Sequence, residues 1–599
     1  MKKTLAAVAA IGCAAVALAD FEIDLDLSRA PIKDVRKTNT GTLIGYSGAF
    51  NGEKGTGPLT EDSLWFVSNR VETACAFRNC GAWLLRSWNA ENWWRRRNDP
   101  KHRSNPEAAF RFFRENGIKT LLTIEARSDE AATNILELCR FIADNGYEKD
   151  VVVGFELGNE NYAMRWEKLE PIGRRWLALI PEIRKILPKI DIGLPLAEYM
   201  ENDPDVAQIR ARMNSNESLH HGYTYDTGYF SAGELNRRSA QLIELLKPVM
   251  DEISHVVYHG YGAESPYSCS YWFVKRLHNF EAAYPEIKEK KWWLSEIRPR
   301  SDEDNRCQRL FREALIMGHY SLMMLCQPKV DCFNEHNLRL LSGGIYYSNG
   351  RQWPVQWMDG GKPGGYTYQD HRAPYWQPRL DIGAKGVTYR ILTEAVIEHP
   401  LVMAHGTQAC GTAEEGFFAS SKLTDQVYKR RRAMKERRKT DGDWPKVEGD
   451  VEWVALWNGG SQLCLVMVNS TSRPSSVLLK VKDCEFCAPT YRTVTCPEKF
   501  LDCREVPGEA KPWRELAWED TQTGAMTIPM EPYDGMKPEG GDLTVTIEPH
   551  TVQSVAMSIK MDPEAQKRIR DAAKAAAKKA AVERKSAEKA KKAAVKDKK

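Results

Sequence analysis

Short apolar runs alternating with amphipathic helical patterns constrain this chain most. Eight strand-like segments occur in order: GTLIGYSGAF (41–50), GAWLLRSWN (81–89), IKTLLTIEA (118–126), DVVVGFELGNE (150–160), IDIGLPLAEY (190–199), ISHVVYHGYG (253–262), KWWLSEI (291–297) and VDCFNEHNL (330–338). Helical patterns separate them. One begins at a Thr60 cap, another runs from Ser128 to a stop at Gly146, and LEPIGRRWLALIPEIRKIL, ELNRRSAQLIELLKPVMDE and RCQRLFREALIMGHYSLMML repeat the spacing. Strands joined through helices run parallel and are covered on both faces, which is why such runs are apolar rather than alternating. Eight units predict an α/β fold, a (β/α)8 TIM barrel over residues 41–402. A doubly wound open sheet is the rival; it carries a Gly-rich first turn, and GxGxxG is absent.

After the helical pattern GVTYRILTEAVIEHPLV (386–402) the period changes to two in VEWVALWNG, SQLCLVMVNS, SSVLLKVKD and GDLTVTIEPHTVQSVAMSI. That predicts an antiparallel β-sandwich over 403–561, interrupted by a basic insert at 422–450. The segment FEIDLDLS, within residues 20–40, alternates in the same way and is expected to join the sandwich. No internal repeat is evident.

Residues 1–19 read as a secretory signal, with Lys2 and Lys3 before a short apolar run and Ala17-Leu18-Ala19 as the cleavage site. The expected destination is secreted or periplasmic; lipoprotein processing at Cys13 is the rival. No later segment approaches the ~20 apolar residues of a membrane span. Thirteen of the 14 cysteines follow Ala19, an odd number. Cys484, Cys487, Cys496 and Cys503 cluster, and export favours two disulfides there over zinc.

The formal charge of +4 hides an asymmetry: residues 562–599 carry +8 and the leader +2, which leaves −6 on residues 20–561. The Ala/Lys-rich tail, 562–599, has no evident apolar face and is expected to be disordered or a solvated helix, free to contact an anionic surface. A net-acidic body is a poor partner for nucleic acid.

In a barrel of this kind chemistry sits where strands end. Glu160 ends the fourth segment and Glu296 the seventh. By alternation Glu156, Gly158 and Glu160 share one face, as do Trp292, Leu294 and Glu296, so both terminal carboxylates are expected to point inward. Strands four and seven lie across the mouth from each other. Two opposed carboxylates, one protonated and one ionised, suit glycoside hydrolysis. The structural alternative is an ion pair with Arg86 or Arg298.

These residues carry a resemblance. The chain is similar to the clan A retaining glycoside hydrolases, barrel enzymes with Asn-Glu ending strand four and Glu ending strand seven. GFELGNEN (154–161) most resembles the motif of the heparanase and β-glucuronidase family, family 79; the α-L-arabinofuranosidases and β-xylosidases are more distant. The resemblance implies that Glu160 is the acid/base, Glu296 the nucleophile and Asn159 the residue that holds the sugar's 2-hydroxyl. It also implies that His259 or Tyr261 bonds the nucleophile and Arg86 supports the site. A polysaccharide or oligosaccharide substrate follows, with no cofactor and no metal. The chain departs from family 79 in placing Asn161 where Pro is usual, and in SEIRPR after strand seven.

Other residues compete. Glu335, in CFNEHNL, replaces Glu296 if the strand count is off by one, and with His336 it could ligate a metal. Glu125 and Glu198 also end strands. The loop SWNAENWWRRRNDPKHRSNP (87–106) puts Trp88, Trp93 and Trp94 beside Arg95, Arg96 and Arg97, and Arg298, Arg300 and Arg339 follow strands seven and eight. Arginine forks suit carboxylate or sulfate and Trp stacks on sugar, so a uronate or sulfated glycan is one expectation, and an ordinary basic loop the other. Two further readings remain: a catalytically silent glycan-binding protein on the same barrel, and a lyase using Tyr261 as base.

Overall fold

Eight parallel strands close into a barrel in the order β10-β3-β4-β5-β6-β7-β8-β9. They are β3 (Ile44–Ser47), β4 (Leu84–Ser87), β5 (Lys119–Ile124), β6 (Val152–Leu157), β7 (Asp191–Pro195), β8 (His255–Tyr261), β9 (Lys291–Arg298) and β10 (Val330–His336). Seven fall inside the apolar segments and β9 runs one residue past its own, so the fold is the (β/α)8 barrel expected. The computed structural model describes residues 19–38, 40–41, 44–47, 77–78, 80–87, 89–97, 106–197, 232–261, 281–282, 284–298, 311–336, 345–348, 379–382, 384–409, 450–469, 474–495, 531–532 and 542–596. Residues 1–18, Trp88, Glu198, the insert 422–449, Arg300, Arg339, Cys496 and Cys503 lie outside that set, as do the side chains of Tyr261, Arg298 and His336.

Helices α1 (Ala90–Arg96), α2 (Pro106–Glu115), α3 (Asp129–Asp144), α4 (Trp166–Ile186), α5 (Ala232–Leu246), α6 (Phe311–Leu325) and α7 (Ala384–Glu398) surround the described strands. Helix α3 starts where Ser128 accepts a hydrogen bond from the Ala131 amide and ends before Gly146 at φ 64°, as its cap and stop residues imply. The barrel interior is filled by Leu84, Leu121, Val257, Trp293 and Cys332. Trp293 spans it. A Cβ at Gly154 or Gly193, on β6 and β7, would come within 2.4 and 2.5 Å of its ring, so glycine at both positions makes room for the indole. His255 stacks on the ring at 4.1 Å between centroids. A short antiparallel pair, β11 (Ile345–Ser348) and β12 (Arg379–Ile382), which sequence periodicity does not announce, follows the eighth barrel strand.

The remaining strands are β13 (Leu401–Ala409), β14 (Asp450–Trp457), β15 (Gln462–Asn469), β16 (Ser475–Val481), β17 (Cys484–Thr495), β18 (Glu531–Pro532), β19 (Asp542–Ile547) and β20 (Thr551–Met561). They form a seven-stranded sheet, β18-β17-β20-β15-β14-β13-β2, and a three-stranded sheet, β1-β16-β19. The N-terminal strands β1 (Phe21–Leu25) and β2 (Lys33–Asp34) are part of both: β1 runs parallel to β16 with Ile23 opposite Leu479, and β2 pairs with β13. Ile23, Leu25, Leu465, Met467, Val477, Leu479 and Val545 share the core between the sheets. The other face of the large sheet joins the barrel's core through Val454, Val466, Val468 and Val552. Gly318 of α6 lies against Val468 and Val552, and the neighbouring His319 Nδ1 is 2.9 Å from Glu452 of β14.

One expectation about the C-terminal half is corrected. Cys484 and Cys487 are free thiols, one at each end of a short stretch of β17 rather than in a bridge. The tail forms a helix, α8 (Pro563–Lys596), and it has an apolar foothold: Ala565 is buried and Ile569 packs on the sandwich core. No helix among the described residues is long and apolar enough to cross a membrane.

Candidate active site

The site is organised around Arg86, at the end of β4 and fully buried. Its Nε donates to Glu156 at 2.7 Å and its Nη1 to Glu296 at 2.8 Å and Ser47 at 3.2 Å. Its Nη2 donates to Asn159 Oδ1 at 2.8 Å and lies 3.2 Å from His259 Nε2. Burying a guanidinium costs several kcal/mol, and the five-donor fork recovers this only if its donors are used. Here the two carboxylates, the amide and the hydroxyl use them.

The same geometry fixes the tautomer of His259. A guanidinium can only donate, so in the neutral ring Nε2 accepts and the proton sits on Nδ1. Nδ1 then donates to Glu160 Oε1 at 3.0 Å, and lies 3.7 Å from Glu296 Oε2. Ser295 Oγ is 3.2 Å from Nε2. Glu160, His259 and Glu296 bring one ligand atom each within 4.8 Å of the others. The nearest oxygens of the two carboxylates therefore lie within 4.8 Å of each other. Such a triad could offer ligands to a cation, but Arg86 already places a positive charge against Glu296.

Simple alternation does not aim these side chains. Strand β6 ends at Leu157, and its last inward carboxylate is Glu156, paired to Arg86 and also bonded to Thr123 at 3.1 Å. Glu160 lies beyond the strand, in a turn with Gly158 at φ 96° and Glu160 itself at φ 50°. A Cβ at Gly158 would meet Asn161 Nδ2 at 1.8 Å, so glycine there and the folded-back Asn161 fit together. Asn161, in the position where the resembling family has proline, is buried, and its Nδ2 points to Leu157 O at 3.4 Å.

On β9 the expected face is wrong for Trp292 and Leu294. They face the helices, while Trp293 faces the barrel interior. Glu296 nevertheless points inward because the register slips: Val257 pairs with Trp293, but His259 pairs with Glu296. The extra residue on β9 is a bulge at Ser295, and bulges of this kind re-aim side chains beside active sites.

Several residues complete the site; sequence reading names Glu125 only as a strand-ending carboxylate and assigns no role to the others. Glu125, just after β5, is buried and accepts the Asn159 amide at 3.2 Å; it also pairs with Arg127. Glu91 on α1 accepts the Glu125 amide at 3.1 Å, and burial pushes its carboxyl up to about 8. Glu91, Glu125 and Asn159 thus form a chain that pins the turn carrying Glu160. Ser47, Ser295 and Glu156 are the others. Glu156 had a signal: a charged residue on the inward face of an apolar strand needs a buried partner, and Arg86 is the inward cation on the neighbouring side.

Glu335 is not a competitor. It is paired in register with outward-facing Tyr46 and meets Lys385 of α7 at 3.1 Å, in the layer between barrel and helices. The basic loop is also partly spoken for: Arg97 stacks on Trp94 at 4.1 Å and reaches Glu137 at 3.1 Å, and Trp94 Nε1 donates to Glu137 as well.

Burial pushes the Glu296 carboxyl up. Charge on His259, when its ring is protonated, and on Arg86 opposes this, and the nearby Glu160 and Glu156 charges add to it. Burial acts on Glu160 in the same direction, but the hydrogen bond from His259 and the Arg86 charge outweigh it and hold that carboxyl below its ordinary value. Glu296 is nearly inaccessible, whereas the Glu160 side chain is 37% exposed toward the mouth.

No protein-family model matches the chain, and no curated protein matches it. Solved structures do. The chain is similar to an α-L-arabinofuranosidase from Thermotoga maritima in complex with arabinose, at 13% identity and a TM-score of 0.53, over 90% of this chain and 100% of that one. A second arabinofuranosidase structure matches at 13% identity and a TM-score of 0.52, over 90% of this chain and 99% of that one. What the chain shares with both of these glycosidases is a fold.

Proposed function

We propose that the protein is a retaining glycoside hydrolase acting on a polysaccharide or oligosaccharide, with Glu160 as acid/base and Glu296 as nucleophile. The observation that carries this reading is the close approach of those two carboxylates at the barrel's C-terminal mouth, each held by a named partner. The shared fold with arabinofuranosidases supports it. The finer placement, beside the heparanase and β-glucuronidase family, rests on the GFELGNEN motif alone, and export rests on the leader sequence.

In the first step Glu296 attacks the anomeric carbon while Glu160 gives its proton to the departing oxygen. In the second, Glu160 takes a proton from water, which displaces Glu296 and releases the sugar with its starting configuration. Asn159, anchored by Arg86 and Glu125, is placed to hold the hydroxyl next to the scissile bond. Arg86 keeps its hydrogen bond to Glu296 through both steps.

In the empty site the shifts favour a proton on Glu296, opposite to what the first step requires. When the pair carries a single proton, these directions place it on Glu296. Substrate resolves the conflict by covering the exposed face of Glu160. Losing that water raises Glu160, and the proton passes to it while Arg86 stabilises ionised Glu296.

The test uses aryl glycosides of different sugars. Glu296→Ala should be inactive on all of them. Glu160→Ala should release a burst of dinitrophenol from the right dinitrophenyl glycoside, then turn over slowly, and azide should accelerate the slow phase to give a glycosyl azide of retained configuration. An inverted azide product, or both variants matching wild type, overturns the assignment. Wild-type inactivity across a wide panel with binding retained would favour the silent glycan-binding protein.

A further inference from the structure

Helix α8 has two unlike parts. Its start is rooted on the sandwich: Glu564 N–H donates to Asp562 at 2.6 Å, Ala565 is buried, Ile569 packs on the core and Arg568 pairs with Asp483. Beyond Ile569 no described side chain is buried, and Lys574, Lys578, Lys579, Val582 and Lys585 are exposed. Eleven alanines among residues 571–596 account for a helix that persists without packing.

Seven of the nine lysines on this rod fall on one stripe; Lys579 and Lys591, with Arg568, Arg570 and Arg584, lie off it, and Asp571 lies on it. Lys567, Lys574, Lys578 and Lys585 follow one another at intervals of 7, 4 and 7 residues, and the sequence continues the series at Lys589, Lys592 and Lys596. At 100° per residue these positions fall within about 60° of one another, and at 1.5 Å per residue they cover about 43 Å. An arbitrary solubilising tail would scatter its charge around the helix. This one draws out a line of it, while the rest of the body carries −6 after the leader.

We infer that α8 is a docking element for a linear polyanionic glycan, a polyuronate or a sulfated polysaccharide, and that it tethers the enzyme to the material it acts on. The partner class rests on the glycosidase reading; the polyanion chemistry rests on the helix alone. A line of point charges suits a polymer bearing regularly spaced anions, and lysine, lacking a fork, sets no demanding geometry. A bilayer fits poorly: helices that lie in membrane interfaces carry Trp, Phe or Leu on one face, and residues 571–596 offer only Val582 and Val595 beyond alanine. The body is net acidic apart from the basic insert at 422–450 and the loop at 87–106, so the variants on the rod measure its own share of polyanion binding.

The experiment is a binding measurement on the full chain, independent of turnover. The probes are immobilised polygalacturonate, chondroitin sulfate, uncharged dextran, phosphatidylglycerol-containing vesicles and a DNA duplex. The variants are Lys574→Glu/Lys578→Glu/Lys585→Glu and the corresponding triple Gln variant, each checked for unchanged far-ultraviolet dichroism. Wild type should bind one or both anionic polysaccharides and not dextran, with affinity falling steeply with salt. The Glu variant should lose about tenfold or more, and the Gln variant an intermediate amount. Equal binding by wild type and Glu variant overturns the proposal, as does no binding to either polysaccharide. Tighter binding to vesicles or to the duplex also overturns it, and assigns the helix to that surface instead. Binding without any glycosidase activity would leave the docking role standing and remove the catalytic one.

Discussion

Arg86 contacts nearly every group the proposed chemistry needs. Replacing it with methionine leaves Glu156 and Glu296 buried without their counter-charge. A loss of about 3–5 kcal/mol in urea denaturation is expected at neutral pH, together with loss of activity. Adding Glu156→Gln removes one stranded charge and should restore part of that stability. A second expectation concerns pH. Activity in the free enzyme needs Glu296 ionised, and its carboxyl is raised by burial. The acid limb of kcat/KM should therefore lie above the ~4.3 of an ordinary glutamate. In kcat, which reports the complex, that limb should move down, because substrate shifts the proton to Glu160. An acid limb at the same position in both profiles would contradict the transfer. At this scale much was legible from the chain: Asn159, Glu160, Glu296, Arg86 and His259 converge. Glu125 was legible only as a carboxylate ending a strand, and Glu91 and Ser295 were not, because a residue that grips a backbone amide or forms a bulge leaves no mark in composition or period. Trp88, Tyr261 and Arg298 have no described side-chain environment.

Among the elements, β9 shows how a correct strand can be misread. Its apolar run announced the strand, but alternation counted back from Glu296 put Trp292 and Leu294 inside, and the bulge at Ser295 reverses that count. Bulges and turns break the period on which such counting depends. The turn after β6 did the same for Glu160, where two left-handed residues carry the chain beyond the strand. The indole that the bulge leaves inward has its own consequence. Trp293→Ala would open a cavity beneath the site between Gly154 and Gly193, which have no side chains with which to fill it. A cost of about 3–5 kcal/mol is expected in calorimetry. Gly193→Ala alone should destabilise, since its Cβ meets the ring at 2.5 Å and Val257 Cγ2 at 2.6 Å, and it should cost less in the Trp293→Ala background, where only the Val257 contact remains.

For the whole molecule, the barrel and the sandwich share one continuous core, and His319 lies in the seam. Burial pushes its ring down to about 3, so it stays neutral beside Glu452. In the unfolded chain the same ring binds a proton at about 6.5. Between about 3 and 6.5 the unfolded state holds more protons, so stability falls as pH drops through that window. His319→Gln should flatten this part of the stability curve, measured by denaturant midpoints from pH 7 to 4; an unchanged slope would locate the acid sensitivity elsewhere.

The two strands at the chain's start bind elements made much later. Phe21 pairs with Val477, about 450 residues downstream. At ribosomal speeds of about 5–20 residues per second, β1 waits roughly 20–90 s for its neighbour. The wait does not end there, because β20, which lies between β15 and β17, is completed only at Met561. The barrel strands have all emerged by His336, so the barrel can close while the sandwich still lacks β20. During that interval Phe21, Ile23 and Leu25 form an apolar segment with no sheet to join. The order of synthesis therefore sets a period in which the newest and oldest parts of the chain must be kept from pairing with other copies, and the sandwich is the last part of the molecule to become resistant to proteolysis.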